Sequence, residues 1–182
     1  MRSGTFVRWQ GLTPPSRGTI LPRMAPMQHW LMKSEATCFS FADLMRSTSS
    51  TNHWDGVRNY QARNYMRAMR VGDQVFFYHS SCDQPGVVGL AEVVREAYPD
   101  HTQFDPQDIH YDPKATREKP IWDMVDLRAL TPLRNPMTLD VLRQTKGLEQ
   151  MILLRRGSRL SVQPVRPKEW AIIVTLSNAT PV

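Results

Sequence analysis

The apolar residues of this chain come in short runs set between turns, and this constrains its fold more than any other feature. His29-Trp-Leu-Met-Lys33, Gln74 to His79, Val87 to Ala97, Ile121 to Leu130 and Ser161 to Val165 have strand length and are rich in Val, Phe, Ile and Trp. Short helical signals stand between them at 41–46, 58–69, 138–143, 148–154 and 167–176. Ser40 is placed to cap the first, Thr138 the third, and Pro167 opens the last at a tolerated first-turn position. The elements do not alternate as βαβ units. The pattern predicts an α+β domain: a curved, largely antiparallel sheet or small barrel, surrounded by short helices. The polar run 47–52 and the proline-punctuated, acidic stretch 98–120 read as exposed loops.

The 182 residues suit one domain, and the 41% hydrophobic share is enough to fill a core. No apolar run approaches the ~20 residues a membrane span needs. Cys38 and Cys82 form no CxxC pair, and the five histidines are scattered along the chain. The spacing therefore predicts no metal centre, and two sparse thiols fit a reducing compartment. A cytoplasmic monomer without cofactor is the expectation, nucleoid-associated in a bacterium, or nuclear or organellar in a eukaryote.

The net charge of +6 is unevenly spread. Arg2, Arg8, Arg17 and Arg23 supply four of those charges, in a stretch 1–26 that has no acid. That stretch is broken by Pro14, Pro15, Pro22 and Pro26 and reads as unstructured. It has the character of a transit peptide, a disordered arm, or residues upstream of a start at Met24 or Met27, and the last reading is preferred because the strand pattern begins abruptly at His29. The domain is expected to occupy 27–182. Within it, 92–126 holds nine acids against four bases, and 127–170 nine bases against three acids. Such segregation sets a basic stripe beside an acidic face, or simply solvates two sides of an ordinary domain.

Four motifs carry chemistry. Trp54-Asp-Gly-Val-Arg-Asn-Tyr-Gln-Ala-Arg-Asn64 is a glycine turn leading into a helix. Trp54 or Tyr60 offers a face for base stacking, Asn59 or Asn64 a paired donor and acceptor, and Arg58 and Arg63 a grip on phosphate. Along the same helix Arg63, Arg67 and Arg70 form a one-sided basic row opposite Ala62, Tyr65, Met66 and Met69. Trp30-Leu-Met-Lys-Ser-Glu35 ends a strand in three polar groups, at a strand mouth where ligands bind. Phe76-Phe-Tyr-His-Ser-Ser-Cys82 sets Tyr78 and Ser80 toward a cavity at a strand end. Its His79 and Cys82 also permit a thiol-catalysis reading, with Cys38 as an alternative nucleophile, although no third orienting group is visible. Finally, Arg155, Arg156 and Arg159 cluster around Gly157, a basic loop suited to phosphates. The strand that follows places Ser161 and Gln163 on one face.

Taken in this order, the motifs resemble the EVE domain family. The resemblance rests on Trp30–Glu35, Trp54–Asn64, Phe77-Tyr-His-Ser80, Gly89-Leu-Ala-Glu-Val-Val94, Glu96-Ala-Tyr-Pro-Asp100, Tyr111-Asp-Pro-Lys114 and Ser158-Arg-Leu-Ser-Val-Gln-Pro164. It implies a PUA-like fold, kinship with YTH domains, and non-catalytic reading of a modified base, such as 5-methylcytosine, in an aromatic pocket. The implied base pocket comprises Trp30, Lys33, Ser34, Trp54, Val57, Asn59, Tyr60, Tyr78, Ser80, Ser161 and Gln163. Arg58, Arg63, Arg155, Arg156 and Arg159 would hold phosphates. Ala36 and Ser81 depart from the proline and asparagine common in the family. The competing readings are an RNA-binding module acting on tRNA or rRNA, a Cys82/His79 enzyme on a nucleotide-like substrate, and a protein-interaction module using the acidic loop.

Overall fold

The computed structural model describes residues 27–177. The readings of 1–26 and of the last five residues lie outside the described residues. Six strands form one sheet: β1 (His29–Glu35), β2 (Thr51–Trp54), β3 (Gln74–Ser80), β4 (Gly86–Pro99), β5 (Asp123–Thr138) and β6 (Val162–Val165). Their order across the sheet is β2-β5-β4-β3-β1-β6. Only β1 and β3 run parallel, so the sheet is largely antiparallel as expected. It is not closed: β2 and β6 are its two edges, and "barrel" describes its curvature rather than its pairing. The β4–β5 ladder shifts register at four places, and each irregularity adds bend to these two long strands.

The alternation of side chains along each strand divides the core in two. One cluster takes Trp30 and Met32 from β1, Val75 and Phe77 from β3, Ala91 and Val93 from β4, and Val125 and Leu127 from β5. Trp54 of β2 and Val162 of β6 join it, so all six strands face this cluster. Helices α1 (Phe41–Arg46) and α2 (Tyr60–Ala68) cover it with Phe41, Leu44, Ala62 and Met66. The second cluster takes the alternate residues, Leu31, Phe76, Tyr78, Val87 and Leu90. Helices α3 (Leu139–Gln144) and α4 (Pro167–Ser177) cover that face with Leu142, Trp170, Ile173 and Val174. Trp170 stacks on Phe76 at 3.9 Å between ring centroids, a contact that contributes about 0.5–1.5 kcal/mol beyond its buried area.

Local signals account for the helix ends. Ser40 and Asp43 make a reciprocal capping box at α1. Thr138 caps α3 through a 3.3 Å bond from the Val141 N–H. Asn59 caps α2: its Oδ1 accepts from the N–H groups of Gln61 at 2.9 Å and Ala62 at 3.0 Å. The helix therefore starts at Tyr60 rather than Arg58. Buried Asp73 then ties α2 to the sheet, accepting from the Trp30 indole at 2.9 Å, the Gln28 N–H at 2.9 Å and the Arg70 N–H at 3.0 Å.

Three expectations need correction. The polar run 47–52 is not only a loop, because Thr51–Trp54 pairs with β5 as an edge strand. Its polar residues are half-buried or exposed, as an edge permits. The segment 148–154 forms only a short 3-10 turn at Ile152–Leu154, and buries Leu148, Met151 and Leu153 instead of continuing a helix. The acidic stretch 98–120 is not a free loop either. Asp100, Thr102 and Gln103 are buried in it, around a 3-10 turn at His101–Phe104.

Candidate nucleic-acid interface

The carboxyl end of β1, the edge strand β2 and the stretch after β4 enclose a cleft of ≈ 640 Å³. This lies within the usual range for a small-ligand site. Lys33, Ser34 and Glu35 come from β1, with Cys38 and Phe39 just beyond it. Asn52, His53, Trp54 and Asp55 form the facing wall, and Ile109 and His110 the lip. Trp54 is held from behind by Phe77 at 5.2 Å and by Phe39 at 6.4 Å, both edge-on. The floor of the cleft is thus aromatic and fixed, while Ser34, Asn52 and His53 supply polar groups on its walls.

The lip is positioned by one buried carboxylate. Asp100 accepts from the Gly56 N–H at 2.9 Å, from the Thr102 N–H at 2.8 Å and hydroxyl at 2.6 Å, and from Arg58 at 2.7 Å. Burial alone would raise this carboxyl, but the bonds from Arg58, Thr102 and Gly56 outweigh it and hold it below the ordinary aspartate value. Arg58 also donates to the Thr102 hydroxyl at 2.7 Å and to the His110 carbonyl at 2.6 Å. Gly56 adopts φ +72°, and a Cβ there would stand 2.8 Å from the His110 ring. Only glycine lets the turn after Trp54 pass so close to the lip.

A second groove, of ≈ 320 Å³, opens beside the cleft. It is lined by Lys33, Tyr78, Arg143, Arg155, Arg156 and Arg159, among others, and by no acid. Lys33 lines both cavities. Its ammonium sits 5.8 Å from the centre of the Tyr78 ring, and burial pushes its pKa below the ordinary lysine value. Arg155, Arg156 and Arg159 are exposed and take part in none of the ion pairs among the described residues.

The structure brings together only part of the residue set expected from sequence. Lys33, Ser34 and Trp54 line the cleft, and Tyr78 lines the adjoining basic groove. Ser80 supports the strand mouth by donating to the Ser34 carbonyl at 3.2 Å. Trp30 is a core residue bonded to Asp73, and Val57 is buried in the same core. Asn59 has spent its acceptor on the α2 cap. Tyr60 packs on Trp122 at 4.8 Å, outside the cleft. Ser161 gives its carbonyl to the Lys33 N–H at 2.8 Å, and buried Gln163 donates to the Leu160 carbonyl at 2.8 Å.

The arginines of the α2 region are also redirected. Arg58 is the partner of Asp100, and Arg63 donates to the Ile121 carbonyl at 2.9 Å while lying over the Tyr60 ring at 4.8 Å. Arg67 pairs with Asp123 at 2.5 Å and Arg70 with Glu96 at 3.7 Å, so the basic row is docked on acids of its own chain. His79 accepts from the Phe41 N–H at 3.0 Å and is committed to the start of α1. Burial lowers its pKa. The residues missed by sequence reasoning are Phe39, Asn52, His53, Ile109 and His110 of the cleft and Arg143 of the basic groove; Cys38 is weighed from sequence only as a nucleophile. The available signal was the adjacency of Asn52 and His53 to Trp54. The histidines are also less scattered than their spacing predicts, since the ligating atoms of His53, Asp55 and His101 lie within 4.8 Å of one another.

A family model described as the EVE domain matches residues 28–176. This chain belongs to the EVE domain family. Among EVE relatives, thymocyte nuclear protein 1 of Rattus norvegicus is 45% identical over 170 residues, which is 84% of this chain and 75% of that protein. A solved structure from Pseudomonas putida is 50% identical, with a TM-score of 0.79 over 82% of this chain and 99% of its own. Human THYN1 protein, solved in complex with DNA containing 5-methylcytosine, is 42% identical, with a TM-score of 0.78 over 85% of this chain and 99% of its own. The EVE fold of this chain is thus shared along nearly its whole described length. Among its described residues, no helix is long and apolar enough to cross a membrane.

Proposed function

We propose that this chain is a non-catalytic nucleic-acid reader that receives one modified base, of the 5-methylcytosine type, in the cleft over Trp54. The observation that carries this reading is the junction at Lys33, which lines both the aromatic-floored cleft and a groove that also presents Arg143, Arg155, Arg156 and Arg159. A base and its flanking phosphates need that pair of environments side by side. The likeness to human THYN1 protein, solved with 5-methylcytosine-containing DNA, supports the choice of ligand.

The base leaves its stack at a cost of a few kcal/mol. Contact with the aromatic floor of Trp54 and Phe39 returns roughly 1–3 kcal/mol. Ser34, Asn52 and His53 meet its polar edge. Ile109 is 92% exposed at the lip. Its neighbours are tied down: the His110 N–H donates to Asp108 at 2.8 Å and the Tyr111 N–H to the Asp108 carbonyl at 3.0 Å. A rigidly held, exposed isoleucine is placed to fill the gap left by the extruded base, as apolar wedges do. No reaction is assigned to the site, because His79 is bound to the backbone of α1 rather than to Cys82. Such a module acts where its nucleic acid lies, in the nucleus of a eukaryotic cell or the cytoplasm of a bacterial one.

The test is fluorescence anisotropy with oligonucleotides that differ in one base, as DNA and as RNA, at fixed salt. Tighter binding of the 5-methylcytosine DNA, lost in Ser34→Ala and Asn52→Ala, supports the reading. Equal affinity for modified and unmodified strands contradicts it, and tighter binding of matched RNA transfers the assignment to an RNA-binding module.

A further inference from the structure

We propose that His53, Asp55 and His101 bind one divalent transition-metal ion, of the zinc class, at the rim of the cleft. The three side chains come from two segments far apart in the chain. His53 belongs to β2, Asp55 to the turn after it, and His101 to the 3-10 turn after β4. Their ligating atoms lie within 4.8 Å of one another, and His53 Nε2 already stands 3.1 Å from Asp55 Oδ2. The two imidazole rings meet edge-to-face at 5.3 Å between centroids. Ligands at about 2.0–2.2 Å from a tetrahedral ion stand roughly 3.3–3.6 Å apart. The widest spacing must therefore shrink by about 1 Å, a change within the reach of side-chain rotation.

The backbone is already fixed for this. Asp100, next to His101, accepts from the N–H of Gly56, next to Asp55. The buried carboxylate therefore clamps together the two segments that carry the ligands, as a supporting shell does around a metal. Two imidazoles and one carboxylate suit zinc, copper, nickel or ferrous iron rather than magnesium or calcium, which take oxygen ligands. Three protein ligands leave a coordination position open. His53 and Asp55 line the cleft, so an ion held there would be reached from the cleft, where water or an anionic oxygen of a bound strand would complete the set. The site stands whether or not the cleft binds a base.

The experiment is calorimetric titration of Zn²⁺ into the whole chain, with His53→Ala, His101→Ala and Cys38→Ser alongside. Cys38 is included because it lines the same cleft. Wild type is expected to take up one equivalent. Loss of an outer-shell partner commonly costs about 10–100-fold in metal affinity, so each histidine variant should lose at least about ten-fold, while Cys38→Ser binds as wild type does. Both histidines are exposed, and unchanged melting temperatures will show that the variants fold. If a histidine variant does melt early, Asp55→Asn, read in the same titration, must show the loss instead. Absence of saturable binding, retention of affinity in a folded histidine variant, or loss confined to Cys38→Ser overturns the proposal.

Discussion

Two groups of arginines flank the cleft, and they do opposite work. Arg58 and Arg63 were expected from sequence to hold phosphate, yet the fold consumes them internally. Arg58 has only 20% of its side chain exposed and pairs with a fully buried aspartate, while Arg63 is spent on the Ile121 carbonyl and the Tyr60 ring. Arg155, Arg156 and Arg159 stand exposed around a second groove without a carboxylate partner among the described residues. The difference teaches that a cation's role is set by what the tertiary structure offers it. A buried acid captures the nearest guanidinium, whereas an exposed basic loop that meets no acid keeps its charge available.

The largest expected effect separates the two groups by stability. Arg58→Ala leaves Asp100 buried without its cation, and breaking such a pair costs about 3–5 kcal/mol. The melting temperature should fall by ten degrees or so. Arg58→Lys should rescue little, because one ammonium cannot reach Asp100, Thr102 and the His110 carbonyl together. A melting curve like that of wild type would break the comparison. The triple variant Arg155→Ala/Arg156→Ala/Arg159→Ala should leave stability within about 0.5 kcal/mol. Its nucleic-acid affinity should drop, and the slope of log affinity against log salt should shrink by roughly 2–3 if all three neutralise phosphates. An unchanged slope would return the phosphate role to the α2 side.

Acid titration sharpens the same contrast at smaller amplitude. The folded Asp100 has a pKa below its ordinary 3.8, so its contribution to stability is fully present above that value. It is lost as pH falls through the depressed folded pKa. His79 acts earlier. Its folded pKa is below the ordinary 6.5, so the unfolded chain binds the proton first, and stability declines as pH falls below 6.5. Wild type should show both phases in thermal melts. His79→Gln should shrink the first to the share of His29, whose pKa burial also holds below 6.5, and the basic-loop variant should keep both. The smallest effect concerns the lip: Ile109→Ala should weaken binding of a fully paired duplex by a few-fold and leave a strand with a mismatched target base nearly unaffected, since that base is already loosened. Equal effects on the two substrates would remove the wedge.

Much of the fold was legible because its signals are local. The Ser40 cap, the Gly56 turn, the Pro167 helix start and the five apolar strand patterns all reside in short stretches of consecutive residues. The β2 strand was not legible, because a polar edge strand carries no apolar alternation and exists only through its pairing with β5. The site divides along the same line. Lys33, Ser34 and Trp54 could be read at a strand end and a glycine turn. The jobs of Arg58 and Asn59 could not be separated from base reading by residue type alone. Asn59 did carry a usable signal, since an asparagine directly before a helix is a strong N-cap candidate. The Asp100 clamp and the meeting of His53 with His101 depend on contacts between segments far apart in sequence, and no local pattern encodes them.

Base entry into the cleft is the central claim, and Cys38 offers a direct way to block it. This thiol is exposed and lines the cleft, away from the basic groove. In a Cys82→Ser background, the affinities for matched 5-methylcytosine and cytosine oligonucleotides should be measured before and after alkylation of Cys38 with a bulky maleimide. The account predicts that alkylation abolishes the preference for the modified base, while salt-dependent binding through the Arg155–Arg159 loop remains. A preference that survives alkylation of a fully labelled protein would place the base elsewhere and contradict the account.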